Sequence, residues 1–555
     1  MLQNNAKLKS LIVSLWDTLW STGIANPLTA IEQISYLLFI KKLDENEKTA
    51  ERNVSDGYWK ESEYEFKFRG KYTPYVDVAK LEVSYKKSQD KTKSIEEIIA
   101  EARKPRNSEE LRWSYFKNMP AEQMMEHVRN NVFEFIKKLN GDTASFTKHM
   151  ESANFELKKP SLLVESIKKI DDIYIEIDND AQDGKQTFQD IQGDVYEMLL
   201  SEIASAGKMG QFRTPRHIIK LMAEILEPKI GNRIADPACG TGGFLLGAYQ
   251  HILTDLVRKT EPERLIIDED GFESGAISSV LDKKNKKILE EGLIGFDIDT
   301  TMVRLGLMNL MMHGIDQPNI DYKDTLSKSY NEEASYDIVL ANPPFTGKLD
   351  KGDINPDLRI DSGSTELLFL VRISKMLRAG GKAAIIIPEG VLFGSSNAQR
   401  STREILLKDN QLEAVISLPQ GAFKPYTGVK TAILVFTKVE EDSKEWHTEK
   451  VWFYSIENDG YSLDDNRRKL KENPLPNVKL AFEKKDKATY ENRKNHFFVE
   501  LNEIQDNDLD LSYNRYKEYE YNLQQYDPPK EILAKLISLE KEILEEMNDL
   551  NSLIG

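Results

Sequence analysis

The sequence predicts an α/β fold, with a helical N-terminal domain before it and a helical C-terminal tail after it. Three observations carry this. From near residue 233, short apolar runs alternate with stretches of about 20 to 50 residues that can hold a helix, the pattern of a mostly parallel sheet covered on both faces. A glycine turn, Gly240 to Gly243, follows the first of those runs. Both ends of the chain carry apolar residues at helical spacing instead.

The chain has 555 residues, enough for roughly three or four domains. With 40% hydrophobic and 30% charged residues it has the balance of a soluble globular protein with a sizeable core. Lys plus Arg number 75 and Asp plus Glu 92, a net charge of −17. That acidity argues against a self-sufficient nucleic-acid binder, so any DNA contact needs a local patch or a partner that supplies positive charge. The single cysteine, Cys239, excludes a disulfide framework and a Cys-rich metal site, and it fits a reducing cytoplasm. No metal site is expected. The apolar run Ile34 to Ile40 is followed at once by Lys41 and Lys42, far short of the roughly 20 residues a membrane span requires, and it reads as a buried helix turn. No secretion signal is expected.

The elements follow in order. Leu8, Leu11, Ile12, Leu15 and Leu19 predict a first helix, and Gly23 to Pro27 breaks it. Ile31, Ile34, Leu37 and Leu38 line one face of a second. Residues 50–110 are highly charged and read as an irregular insertion with little core of its own. Met124, Met125, Val128, Val132, Phe135 and Ile136 restore the helical period, and Leu162 to Ile170 gives a third pattern. The acidic stretch Asp171 to Gln186 marks a boundary. These readings give a helical domain over 1–180, a central α/β domain over 181–475 and a C-terminal extension over 476–555. Within the central domain a helix is expected from about Phe188 to Ala204. Strands are expected at 233–235, 293–296, 336–340, 383–387, 414–418 and 431–436. From about 440 the chain turns polar, and a last helix follows Pro528 and Pro529.

Arg233-Ile234-Ala235 leads into Asp236-Pro237-Ala238-Cys239-Gly240-Thr241-Gly242-Gly243-Phe244, a strand, a glycine turn and a helix start. Such a turn lets a ligand approach the backbone at the carboxyl edge of a sheet. Side chains at Gly240 or Gly242 are expected to stand where that ligand passes. The dinucleotide pattern G-x-G-x-x-G is absent, as is a Walker A lysine. Asp236, just before the turn, repels a diphosphate and suits a ligand with an ammonium group.

The segment D-P-A-C-G-T-G-G-F resembles the S-adenosylmethionine loop of DNA adenine methyltransferases, and further segments fit that resemblance in order. Gly210-Gln211-Phe212-Arg213-Thr214-Pro215-Arg216 is similar to the segment that closes over the methionine part of the cofactor. Ile294 to Asp299 is a strand ending in an acid, and the resemblance gives Asp297 the ribose hydroxyls. Asp324, at the next strand end, matches the position that contacts the cofactor's adenine amino group. The resemblance thus implies a Rossmann-like, S-adenosylmethionine-dependent methyltransferase domain. One departure is that Asp297 lies 57 residues beyond Gly240, with a polar insertion between.

Asn342-Pro343-Pro344-Phe345 follows the strand Tyr336 to Leu340. Methylating an exocyclic amine requires two acceptors that hold its N–H bonds and free the nitrogen lone pair. The Asn342 side-chain oxygen and the Pro343 carbonyl suit that task, and the prolines stiffen the loop. Phe345 can stack on the target base, which must be flipped out of a duplex. In the methyltransferase family this tetrad marks amino methylation.

Ile385-Ile386-Ile387-Pro388-Glu389-Gly390 and Phe423-Lys424-Pro425-Tyr426-Thr427-Gly428-Val429-Lys430-Thr431 resemble the modification (M) subunit of type I restriction–modification systems. So do the Leu15-Trp16 helix pair and Gly193 to Leu199. The resemblance implies an adenine-specific DNA methyltransferase that gains its sequence specificity from a separate specificity (S) subunit, typically with two M per S. It also implies a restriction (R) subunit that joins them. The chain carries no nuclease or helicase signature, and little length remains after the last expected strand for a target-recognition domain. Two other readings stand beside this one: a stand-alone adenine methyltransferase, and a non-catalytic cofactor-binding scaffold, against which the intact tetrad argues. The last helix presents Ile532, Leu536, Leu539, Ile543, Met547, Leu550 and Ile554 in steps averaging about 3.7 residues, a nearly straight apolar stripe for a partner or for the chain's own core.

Overall fold

A computed structural model of the chain describes residues 5–21, 24, 26–88, 92–141, 143–183, 193, 195–196, 198–199, 214–275, 280–487, 493–518 and 528–554. The helix expected over 188–204 lies largely outside them.

The N-terminal region is helical. Helix α1, Ala6–Ser21, starts where Asn5 Oδ1 accepts the Leu8 N–H at 2.9 Å. Helix α2, Pro27–Ser55, is capped by Asn26, with proline in the first turn, where a missing N–H costs nothing. Helix α3, Pro160–Asp183, continues into the stretch expected to be a boundary. Ile170, Ile173, Tyr174 and Ile177 are buried, so an apolar face continues beneath the acidic residues. The 50–110 insertion contributes the buried Phe68, whose N–H and that of Lys67 are held by Glu47 at 3.1 Å. Its two short helices, Val78–Lys87 and Ile95–Ala102, bury no residue.

The helices that frame the site are α4 (Arg216–Leu226), α5 (Gly243–Thr260), α6 (Thr300–Met312) and α7 (Thr365–Met376). The sheet has nine strands: β1 (Ile234–Asp236), β2 (Leu293–Asp297), β3 (Asn319–Tyr322), β4 (Tyr336–Ala341), β5 (Leu377–Pro388), β6 (Asn410–Ser417), β7 (Thr431–Lys438), β8 (Lys450–Ser455) and β9 (His496–Glu500). Their order across the sheet is β9-β8-β6-β7-β5-β4-β1-β2-β3. β3, β2, β1, β4 and β5 are mutually parallel, while β7 runs antiparallel to both its neighbours and β9 antiparallel to β8. The six expected strands are present. β3, at the strand end that the resemblance placed before Asp324, and β8 and β9 make up the nine, and β9 carries the sheet past residue 475, where the central domain was expected to end.

Every residue of β4 is buried. Ile338 and Leu340 join one core cluster, with Leu37, Leu305 and Ile320, and Val339 and Ala341 join the other, with Ile385 and Phe453. This is the period of two that a strand covered on both faces imposes. The N-terminal helices share the first cluster and are tied to α6. Glu32 pairs with Arg304 at 2.5 Å, and the buried Lys42 donates to the Met312 carbonyl at the end of α6, where a cation complements the helix dipole. Among the described residues no helix is long and apolar enough to cross a membrane.

Candidate active site

Strand order reverses between β1 and β4, and the crevice at the carboxyl ends of such neighbouring strands is where open parallel sheets bind ligands. Here the glycine turn leaves β1 and the Asn342 tetrad leaves β4, so topology brings side by side two motifs about a hundred residues apart.

The turn is held from beneath. Cys239 N–H donates to the Phe296 carbonyl at 2.9 Å, Gly242 N–H to the Cys239 carbonyl at 2.8 Å, and Asn309 Nδ2 to the Thr241 carbonyl at 2.9 Å. The Thr325 hydroxyl donates to the Pro237 carbonyl at 3.2 Å. Gly240 and Gly242 both have left-handed backbones, φ +53° and +75°, which favour glycine. They differ in what a side chain would meet. A Cβ on Gly240 has nothing within 4 Å, which is the open space expected above a ligand-binding turn. A Cβ on Gly242 would lie 3.5 Å from Leu310 and Ile320, pointing into the core. Open space above the turn is thus found at Gly240, whereas at Gly242 the left-handed backbone favours glycine and a Cβ would make only ordinary contact with the core. At Gly243 the α5 helix begins.

Three carboxylates line this edge. Asp236 is 1% exposed and accepts the Ala238 N–H at 3.1 Å. Burial, with Asp297 nearby as a second cause, raises its carboxyl to about 8. Asp297 accepts the Gly240 N–H on Oδ2 and the Asp299 N–H on Oδ1, both at 2.9 Å, and burial raises it too. The 57-residue separation thus leaves Asp297 against the turn. The intervening chain forms a two-residue ladder, Ile266–Ile267 with Glu273–Ser274, and a helix, Lys283–Gly292, before β2 realigns with β1. Asp324 uses Oδ1 to accept the Leu326 N–H at 2.9 Å, and the preceding Lys323 N–H bonds the Asp297 carbonyl at 2.9 Å. Ile298, not singled out from the sequence, is 66% exposed between Asp297 and Asp299 and offers an apolar face at the same edge.

Beyond β4, the Asn342 Nδ2 donates to the Thr214 hydroxyl at 2.9 Å, while its Oδ1 is buried without a hydrogen-bond partner among the described residues. Pro343 is buried and Pro344 exposed. Phe345 is 5% exposed and meets Phe423 edge-on, centroids 5.5 Å apart at 87°. Phe423 therefore lies directly against the tetrad. The Phe423-to-Thr431 segment carries a family resemblance, but a contact spanning two strands leaves no local signal. Of the segment expected over the methionine part, Thr214 reaches the tetrad, Pro215 caps α4 by accepting the Ile218 and Ile219 N–H groups, and Arg216 begins that helix. Gln211, Phe212 and Arg213 lie outside the described residues.

The crevice fits S-adenosylmethionine. It offers a turn with open space above Gly240, a buried carboxyl with no cation partner among the described residues, a second acid at the adjacent strand end and, within the tetrad, an amide oxygen without a partner among those residues. Among the described residues no group of three His, Cys, Asp or Glu side chains could hold a metal ion.

Residues 187–524 match the family model N-6 DNA Methylase, and residues 8–170 match the HsdM N-terminal domain. The methylase subunit of the type I restriction enzyme EcoEI from Escherichia coli is 29% identical over 462 residues, covering 80% of this chain and 77% of that protein. The EcoKI methylase subunit from Escherichia coli K12 is 30% identical over 275 residues, 48% of each chain. In fold, the chain is similar to the methyltransferase subunit of a type I restriction–modification system from Streptococcus thermophilus, with TM-score 0.60, 19% identity, and 92% and 99% of the two chains covered. A chain of another type I system gives TM-score 0.59 at 23% identity over 99% of both. With the family model covering more than half its length and the matching N-terminal domain beside it, the chain belongs to the N-6 DNA methylase family, as an adenine-specific DNA methyltransferase subunit of the type I restriction–modification kind.

Proposed function

We propose that the crevice between β1 and β4 binds S-adenosylmethionine and that Asn342 holds the adenine N6 amine for methylation. The observation that carries this reading is the orphaned Asn342 Oδ1: a buried polar atom without a partner costs free energy unless a ligand satisfies it. The cofactor, when bound, supplies an electrophilic methyl group. Asp236 accepts from its ammonium group, Asp297 from its ribose hydroxyls, and Asp324 from its adenine amino group, while Ile298 lies against the purine. Gly240 and Thr241 give it backbone to lie against, and Gly243 starts the helix beyond. Asn342 Oδ1 and the Pro343 carbonyl accept the two N–H bonds of the flipped adenine, so its lone pair is turned towards the methyl group. Phe345 and Phe423 part to receive the base, and Pro344 keeps the loop stiff. No strong base is required, because the nitrogen sheds its proton after it gains the methyl. Asn342→Ala should cut methyl transfer by roughly a hundredfold or more, with cofactor binding retained. Tritium transfer from labelled cofactor into DNA measures this, and near wild-type transfer would reduce the tetrad to a turn.

The same reading assigns sequence recognition to a separate S subunit, two M chains to each, with an R subunit able to join, all in the cytoplasm. The net charge of −17 and the tail support it. The last helix, α8 (Pro529–Ile554), is exposed from Pro529 to Leu553. Its stripe of Ile532, Leu536, Leu539, Ile543, Met547 and Leu550 has a second ridge beside it, Leu533, Ile537 and Leu544, about 100° round the axis. An exposed apolar face of this width marks a protein interface, and the stripe does not pack on the chain's own core in this structure. The family match ends at residue 524, before the helix begins.

A further inference from the structure

The carboxamide of Asn342 can sit in two nearly isosteric orientations related by a half-turn, and only one presents an acceptor to the target amine. Nothing in the tetrad itself selects between them. The Thr214 hydroxyl accepts from Nδ2 at 2.9 Å, which in this structure leaves Oδ1 for the amine; because a hydroxyl can also donate, what this bond fixes is the place and plane of the amide. Thr214 is 7% exposed and sits immediately before α4, and α4 is clamped on two sides. On one side, Ile219 fills the notch at Gly243 and Gly247 of α5, so close that a Cβ on Gly243 would be 3.2 Å from it and one on Gly247 would collide. On the other side, His217 Nε2 meets the fully buried Asp459 at 2.8 Å and stacks on Tyr461 with centroids 4.7 Å apart, and Glu224 pairs with Lys479 at 2.6 Å. The hydroxyl is therefore carried on a helix locked to the one that starts at the glycine turn.

We infer that Thr214 is a positioning residue: it holds the Asn342 amide in the place where it meets the target amine and ties that placement to the geometry of the cofactor turn. The inference rests on the role proposed above for Asn342. Valine has the shape of threonine without its hydroxyl, so in Thr214→Val the Asn342 amide loses the partner that holds it in place.

The test measures methyl transfer by the assembled methyltransferase for Thr214→Val, Thr214→Ser, Asn342→Ala and the Val/Ala double variant, with calorimetric S-adenosylmethionine affinity for each. Thr214→Val should lower kcat about tenfold or more and leave the cofactor KM within about twofold, the loss of one orienting hydrogen bond. Thr214→Ser should recover kcat to within about threefold of wild type, because the hydroxyl returns. The double variant should be no slower than Asn342→Ala, since Thr214 has nothing left to orient. Should valine disturb the fold, seen as a lowered melting temperature, Thr214→Ala removes the same acceptor without added bulk. Wild-type kcat in Thr214→Val, a raised cofactor KM with kcat unchanged, or additive losses in the double variant would each overturn the inference. Wild-type rates in Asn342→Ala alone would instead overturn the reading of the tetrad.

Discussion

Asp236 offers the sharpest thermodynamic test of the cofactor site. Its carboxyl is buried with one backbone N–H for company and stands at about 8, so near neutral pH it is protonated until a cation arrives. If the ligand's ammonium group is that cation, binding must expel the proton. At pH 7 the carboxyl gives up about 0.9 proton and the ligand's amine takes up about 0.1, a net release of roughly 0.8 per site. Calorimetry of S-adenosylmethionine binding in two buffers of different ionisation enthalpy reads this number as the slope of apparent enthalpy. In Asp236→Asn the release should vanish and only the small uptake remain. The free protein carries the matching sign. A carboxyl raised from the ordinary 3.8 to about 8 contributes stability that is complete below pH 4 and is lost as pH rises through 8. Asp236→Asn should flatten the melting temperature over that window. Buffer-independent enthalpy in the wild type, or the same release in the variant, would refute the assignment of Asp236 to the ammonium group.

Gly240→Ala should keep the fold at a cost of about 1–2 kcal/mol for its left-handed backbone, and lower cofactor affinity about tenfold or more as its methyl enters the ligand's space. Gly242→Val should fail differently: thermal melting should show a loss of about 2–5 kcal/mol, because strain adds to overpacking against Leu310 and Ile320. Deleting residues 528–555 should leave calorimetric cofactor affinity intact while co-purification with the S subunit and site-specific DNA methylation fall. A truncated chain that assembles normally would remove α8 from the interface, and one that loses cofactor binding would return it to the core.

Much of the site was legible because its chemistry restricts residue type at single backbone positions. A left-handed turn needs Gly240, a rigid acceptor loop needs Asn342 with its prolines, and neither depends on distant sequence. Orientation was not legible. Gly240 and Gly242 look alike in the string, yet one opens on the crevice and the other on Leu310, since the facing residues come from α6 and β3. The Thr214–Asn342 bond joins residues 128 apart and leaves no periodic trace. In the fold, Asp171 to Gln186 reads as a boundary by composition, although Ile170, Ile173 and Ile177 hold the helical spacing that buries them. β8 and β9 leave little trace in the sequence because their apolar runs, Val451 to Phe453 and Phe497 to Val499, are short and set in charged surroundings. The N-terminal helices were legible by periodicity, but their attachment through Glu32 to Arg304 depends on a partner 272 residues away.

The long connection between β1 and β2 has a practical consequence. Its ends are pinned by strand register, Ile234 to Leu293 through Asp236 to Gly295, and by the carboxylate of Asp297 on the Gly240 amide. What lies between can therefore lengthen without moving either anchor, and the closure entropy of a longer loop rises by only about 0.6 kcal/mol per doubling. The exposed part around Pro262–Arg264 is accordingly a place to graft a fluorophore-bearing peptide or an affinity handle. A reporter there would ride on the catalytic domain, beyond the end of α5 opposite the glycine turn, and follow the subunit through assembly.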